Sequence, residues 1–91
     1  MSEAESNDPA RRGQNTPLLE QVRTLMPELS PSERKVALHI LARPHAAMDQ
    51  AIGVIAAAAD VSEPTVVRFC KRLGYRGVQS FNMALARGLA T

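Results

Sequence analysis

A chain of 91 residues fits one small domain and leaves no room for a second. Apolar residues make up 45% of it but aromatics only 3%, so the core must be built from small and aliphatic contacts, which suits packed helices better than a strand sandwich. The net charge of +2 is divided unevenly: residues 1–61 carry six Lys/Arg against eight Asp/Glu, whereas residues 62–91 carry five Lys/Arg against one acid. A cationic segment of this kind attracts polyanions, nucleic acid first.

Cys70 is the single cysteine, which excludes a disulfide within the chain and suits a reducing compartment. No run of about 18 apolar residues is present to span a membrane. The N-terminal stretch has no apolar core of the signal-peptide kind, so a cytoplasmic protein is expected.

Residues 1–15 are polar and aperiodic and are expected to form a disordered tail, with residues 16–91 making the domain. Thr16 and Pro17 read as a helix cap and first turn. Leu18, Leu19, Val22, Leu25 and Met26 follow at helical spacing, up to Pro27. "SPSE" from Ser30 to Glu33 is a second start signal, in which Glu33 can close a capping box. Val36, Ala37, Ile40 and Leu41 form the apolar stripe before Pro44. "PHAAMDQA" predicts a short helix that carries Met48 inward. Another short helix is expected over residues 52–59, weakened slightly by Gly53.

Ser62 then restarts the chain as a cap, with Pro64 harmless in the first turn and Gly74 closing the helix after Leu73. A last helix is expected from Val78 to about Leu89. The predicted fold class is all-α, a small bundle of about five helices.

The helix over residues 62–73 has two faces. Val66, Phe69, Cys70 and Leu73 follow i, i+3, i+4, i+7 and are expected to pack inward. Thr65, Arg68 and Arg72 are expected on the outer side, with Lys71 beside them. A short helix, a tight turn at Asp60 and a second helix with a free cationic face make a helix-turn-helix, whose second helix can enter the major groove. With Asp60 at the turn, Ile55, Ala59, Val61, Val66 and Phe69 take the apolar places and Ala56 the small one. Aspartate stands where glycine is commonest, and can adopt the left-handed conformation at moderate cost.

The expected DNA-binding residues are Ser62, Glu63, Thr65, Val67, Arg68, Lys71, Arg72 and Arg76. Ser62 and the free amides at the helix start suit phosphate. Arg68 is long enough to reach a guanine edge with two hydrogen bonds, and Thr65 and Val67 can meet a base edge or a thymine methyl. Lys71, Arg72 and Arg76 suit phosphate contact. The plainer alternatives are a solvated Arg68, or an Arg68 paired with Glu63. Arg34 and Lys35 are read as surface charge, and Tyr75 as packing against the helix end.

"LSPSERKVALHIL", "VSEPTVVRFCKRLGY" and "GVQSFNMALARGLA" together resemble the N-terminal domain of the RpiR family of bacterial transcription regulators, and within it the hexose-regulon (HexR) branch. The likeness covers residues 18–90, and "SEPTVVRFCKRLG" is its specific part. The resemblance implies a repressor of glucose-catabolic genes. It also implies a C-terminal sugar-isomerase-like (SIS) domain, not among these residues, that binds 2-keto-3-deoxy-6-phosphogluconate. One domain would read only a few base pairs, so a homodimer on a palindromic operator is expected. The rival reading is a helical protein-interaction or dimerisation module, using apolar residues of the first and last helices.

No enzyme is expected. His39 and His45 with one inward cysteine do not make a zinc set, and Ser30 and Ser62 have capping roles. No glycine-rich phosphate loop is present, and no metal or cofactor is expected.

Overall fold

The computed structural model describes residues 17–90. The expected tail and the cap at Thr16 lie outside them. Six α-helices follow in order: α1 Pro17–Leu25, α2 Pro31–Ala42, α3 Pro44–Ala47, α4 Ile52–Ala59, α5 Glu63–Arg72 and α6 Val78–Leu89, with a 3-10 turn at Met26–Glu28 after α1. No strand is found among the described residues. The "PHAAMDQA" segment is helical only over its first four residues, and Met48 follows as its cap, half-buried against the core.

Local chemistry explains the boundaries. Ser30 Oγ accepts from the Glu33 amide at 3.2 Å and Glu33 Oε1 accepts from the Ser30 amide at 3.0 Å, a complete capping box. Arg34 is more than surface charge: it donates from Nε to the Met26 carbonyl at 3.1 Å and from Nη2 to that of Pro27 at 3.3 Å, satisfying the turn that joins α1 to α2.

α2, α4 and α5 pack against one another, while α1, α3 and α6 support them from the other side. Val36, Ala37, Ile40, Ile55, Ala56, Val66, Phe69 and Cys70 are buried between these layers, with Phe81 and Leu85 of α6 closing the far side. Phe69 and Phe81 meet edge to face with centroids 5.7 Å apart, and the ring of Tyr75 approaches Phe81 in the same way at 5.8 Å. Tyr75 is thus a packing residue, as expected.

The segment before α4 is tied down from both layers. Gln50 Oε1 lies 2.8 Å from His39 Nε2 of α2, and the Gln50 carbonyl accepts from Asn82 Nδ2 of α6 at 2.8 Å. His39 therefore has a structural partner.

Candidate nucleic-acid interface

The turn between α4 and α5 is made by one residue in an unusual conformation. Asp60 adopts φ 61°, ψ 50°, the left-handed region, and it is the only non-glycine with positive φ among the described residues. This turns the chain so that the Asp60 amide donates to the Ala57 carbonyl at 3.2 Å and the Val61 amide to that of Ala56 at 2.9 Å. Both bonds of a Schellman motif are present, with Val61 folding onto the core. Ala56 is buried at the crossing, where a small side chain lets α4 and α5 approach closely. Lys35 Nζ reaches over from α2 to within 3.8 Å of Asp60 Oδ2.

Ser62 opens α5 as expected. Its Oγ accepts from the Thr65 amide at 3.4 Å and lies 3.0 Å from Thr65 Oγ1. At the other end Gly74 has φ 94°, the Gly74 amide donates to the Lys71 carbonyl at 3.0 Å, and the Tyr75 amide to that of Cys70 at 3.1 Å. The same stop motif thus closes both helices of the pair.

The inward stripe is as expected: Val66, Phe69, Cys70 and Leu73 are all buried. Burial in this apolar setting pushes the Cys70 thiol up to about 12, which keeps it protonated and inert.

The outward face needs a correction. Thr65, expected beside Arg68 on the outer side, is only 4% exposed. It stands four residues before Phe69, on the packed side of the first turn, where it faces the cap hydroxyl of Ser62. Its Oγ1 accepts from Arg68 Nη2 at 3.3 Å. Thr65 thus holds an arginine and presents no base-reading group of its own.

The plainer alternative of an Arg68–Glu63 pair is not what forms. The carboxylate that Arg68 approaches is Glu33 of α2, with Arg68 Nε 3.8 Å from Glu33 Oε2, while Glu63 leans toward α4, its Oε2 3.2 Å from where a Cβ on Gly53 would sit. Arg72 makes the closer contact, with Nε 3.0 Å from Glu33 Oε1. Glu33 is 2% exposed, whereas the side chains of Arg68 and Arg72 are 62% and 45% exposed. Burial alone would push the Glu33 carboxyl up. Hydrogen bonds from the Ser30 amide and Arg72, with the charge of Arg72, outweigh it and hold the group below its ordinary value.

Sequence reasoning gave Glu33 a capping role only. Its spacing from Ser30 signalled the cap, but nothing local signalled that the same carboxylate faces α5.

The remaining candidates lie where a ligand can reach them. Ser62, Glu63, Lys71 and Arg76 are exposed and Val67 is half-buried. Lys71 and Arg76 make no ion pair among the described residues. Arg68, Lys71 and Arg72 line a shallow groove together with Leu25, Glu28 and Glu33. The arrangement is a capped helix with its apolar side anchored and its other side carrying three cations.

Known proteins resemble this chain along most of its length. The model of the helix-turn-helix domain of the rpiR family matches residues 16–91. The HTH-type transcriptional regulator HexR of Escherichia coli (strain K12) is 47% identical over 73 residues, 80% of this chain and 25% of that protein. The bifunctional protein glk of Paraburkholderia xenovorans (strain LB400) is 42% identical over 77 residues, 85% of this chain and 12% of that protein. The chain thus spans between about an eighth and a quarter of these relatives. Among solved structures, the N-terminal domain of ybbH from Bacillus subtilis superposes with a TM-score of 0.78 at 40% identity, covering 85% of this chain and 94% of that one. Vibrio vulnificus NanR, complexed with ManNAc-6P, gives 0.78 at 41% identity, covering 80% and 28%. The match over nearly the whole described chain and the capped helix pair with its cationic face agree: the chain belongs to the rpiR family of helix-turn-helix DNA-binding domains.

Proposed function

We propose that this chain is the DNA-binding domain of a HexR-like repressor of glucose and hexose catabolism genes, and that α5 reads a palindromic operator in the major groove. The observation that carries the reading is the division of α5 into a fully buried apolar stripe and an exposed face bearing Arg68, Lys71 and Arg72. An interface helix docking on protein would instead expose apolar anchors there.

Arg68 and Val67 meet base edges at the start of the helix, beside Ser62 and Glu63. Lys71, Arg72 and Arg76 hold phosphates. Thr65 contributes through Arg68. One copy covers few base pairs, so two copies of the chain bind half-sites about one helical turn, roughly 34–36 Å, apart. The effector is a phosphorylated sugar acid, 2-keto-3-deoxy-6-phosphogluconate, bound by a SIS domain beyond these residues in a cytoplasmic protein. The likeness to HexR and to a NanR solved with a phosphorylated sugar supports that assignment.

The test is selection from a random duplex pool, followed by titration of the enriched duplex and a scrambled one at two salt concentrations. The expected result is an inverted repeat, bound more tightly than the scrambled duplex, with affinity falling steeply with salt for both. Equal, salt-insensitive affinities would leave the protein-interaction reading in its place.

A further inference from the structure

We propose that Glu33 of α2 is a positioning residue for α5, its buried carboxylate fixing the guanidiniums of Arg68 and Arg72 so that both meet DNA in one orientation. The inference rests on the DNA-binding reading above and concerns how that surface gains its selectivity.

Glu33 makes more contacts than a helix cap needs. A capping box requires one acceptor for the Ser30 amide, which a neutral glutamine supplies equally well. Here Oε1 takes that amide at 3.0 Å and Arg72 Nε at 3.0 Å, while Oε2 faces Arg68 Nε at 3.8 Å. Arg68 is held from a second side by Thr65 Oγ1, itself in contact with the Ser62 cap. The caps of α2 and α5 are thereby joined through Arg68, while Arg72 contacts Glu33 alone.

An arginine on an open helix face samples many rotamers, and freezing it opposes binding. Here each guanidinium already turns its Nε edge to protein while much of the side chain stays exposed. One buried anion beside two half-exposed cations still leaves net positive charge for phosphate. The dependence is mutual, since a carboxylate buried to this degree would be costly without its partners.

Glu33→Gln separates the two roles, because it keeps the acceptor for Ser30 and removes the charge. It is measured on the 91-residue chain, with the enriched duplex and a scrambled duplex of equal length. Loss of an anion beside the phosphates should raise affinity for the scrambled duplex by about two- to threefold. Loss of orientation should lower affinity for the enriched duplex by about tenfold.

Arg72→Lys is the second variant and decides the matter if Glu33→Gln does not fold. It keeps the positive charge but loses the planar fork. Its affinity for the enriched duplex should fall severalfold more than that for the scrambled one, so that the ratio between duplexes falls. In 15N-labelled protein the Arg72 Nε–H resonance should persist in the wild type and exchange faster with water in Glu33→Gln, where a neutral amide oxygen replaces the charged acceptor. Ratios like the wild type's in both variants, with that resonance unchanged, overturn the proposal and leave Glu33 a cap. A wild-type chain that binds both duplexes equally fails at the earlier step and removes the DNA reading itself.

Discussion

The amide of Val61 donates to the carbonyl of Ala56 across 2.9 Å, and this bond exists because Asp60 between them is left-handed. Glycine reaches that conformation without the Cβ clash that aspartate tolerates and a β-branched residue does not. Asp60→Gly should therefore raise stability by up to about 1 kcal/mol, and Asp60→Val should lower it by about 1–2 kcal/mol. Urea unfolding of both variants checks the order. Midpoints ranked the other way would mean that this turn does not govern the fold.

Arg68 and Lys71 are both exposed on α5 but are expected to behave differently. Arg68→Ala should cost roughly 1–3 kcal/mol on the enriched duplex and far less on the scrambled one. Lys71→Ala should weaken both duplexes alike and reduce the salt slope by about one. Fluorescence anisotropy titrations with both duplexes across a salt series distinguish the two. Equal losses on both duplexes for Arg68→Ala would take base reading away from it.

The Glu33 carboxyl gives stability an acid limb. Its folded value lies below the ordinary 4.5, so the folded state favours the ionised form. The resulting stabilisation is fully present above the unfolded-state value and is lost as pH falls through the folded one. Urea midpoints measured from pH 6 to pH 3 should fall less for Glu33→Gln than for the wild type. Parallel curves would show that the carboxylate is not held as described.

Cys70 gives the opposite limb. Its thiol is pushed up to about 12 from 9.0 by burial, so the folded state favours the neutral form. That contribution is complete below the unfolded value and lost as pH rises through the folded one. At pH 8 a thiol reagent should label the native chain far more slowly than the chain in urea. Cys70→Ser, which places a hydroxyl in an apolar site, should cost about 1–3 kcal/mol. Labelling at equal rates would contradict the burial of this residue.

The helix ends were legible because their chemistry is local. Ser30, Ser62, Asp60 and Gly74 act on amides and carbonyls within a few positions, and each is found in its expected role. The buried stripe of α5 was legible for the same reason, since the helical repeat alone assigns Val66, Phe69 and Cys70 to one side. Thr65 was misassigned because its polarity argued outward. Its place four residues before Phe69 puts it on the packed side, and neighbouring hydroxyl and guanidinium groups satisfied the buried oxygen. The partners of Glu33 were beyond reach, because which acid faces which arginine depends on how α2 crosses α5. For the same reason Arg34, which covers carbonyls of the preceding turn, read only as a charge on a surface.

The ring of Phe81 makes T-shaped contacts with both Phe69 and Tyr75, so one side chain of α6 is gripped by α5 and by a residue three positions past its end. In an interior packed to crystal-like density such a wedge has no slack. Twisting α6 about its own axis would therefore act as a lever on α5, and the two should turn, stiffen or loosen as one mechanical part.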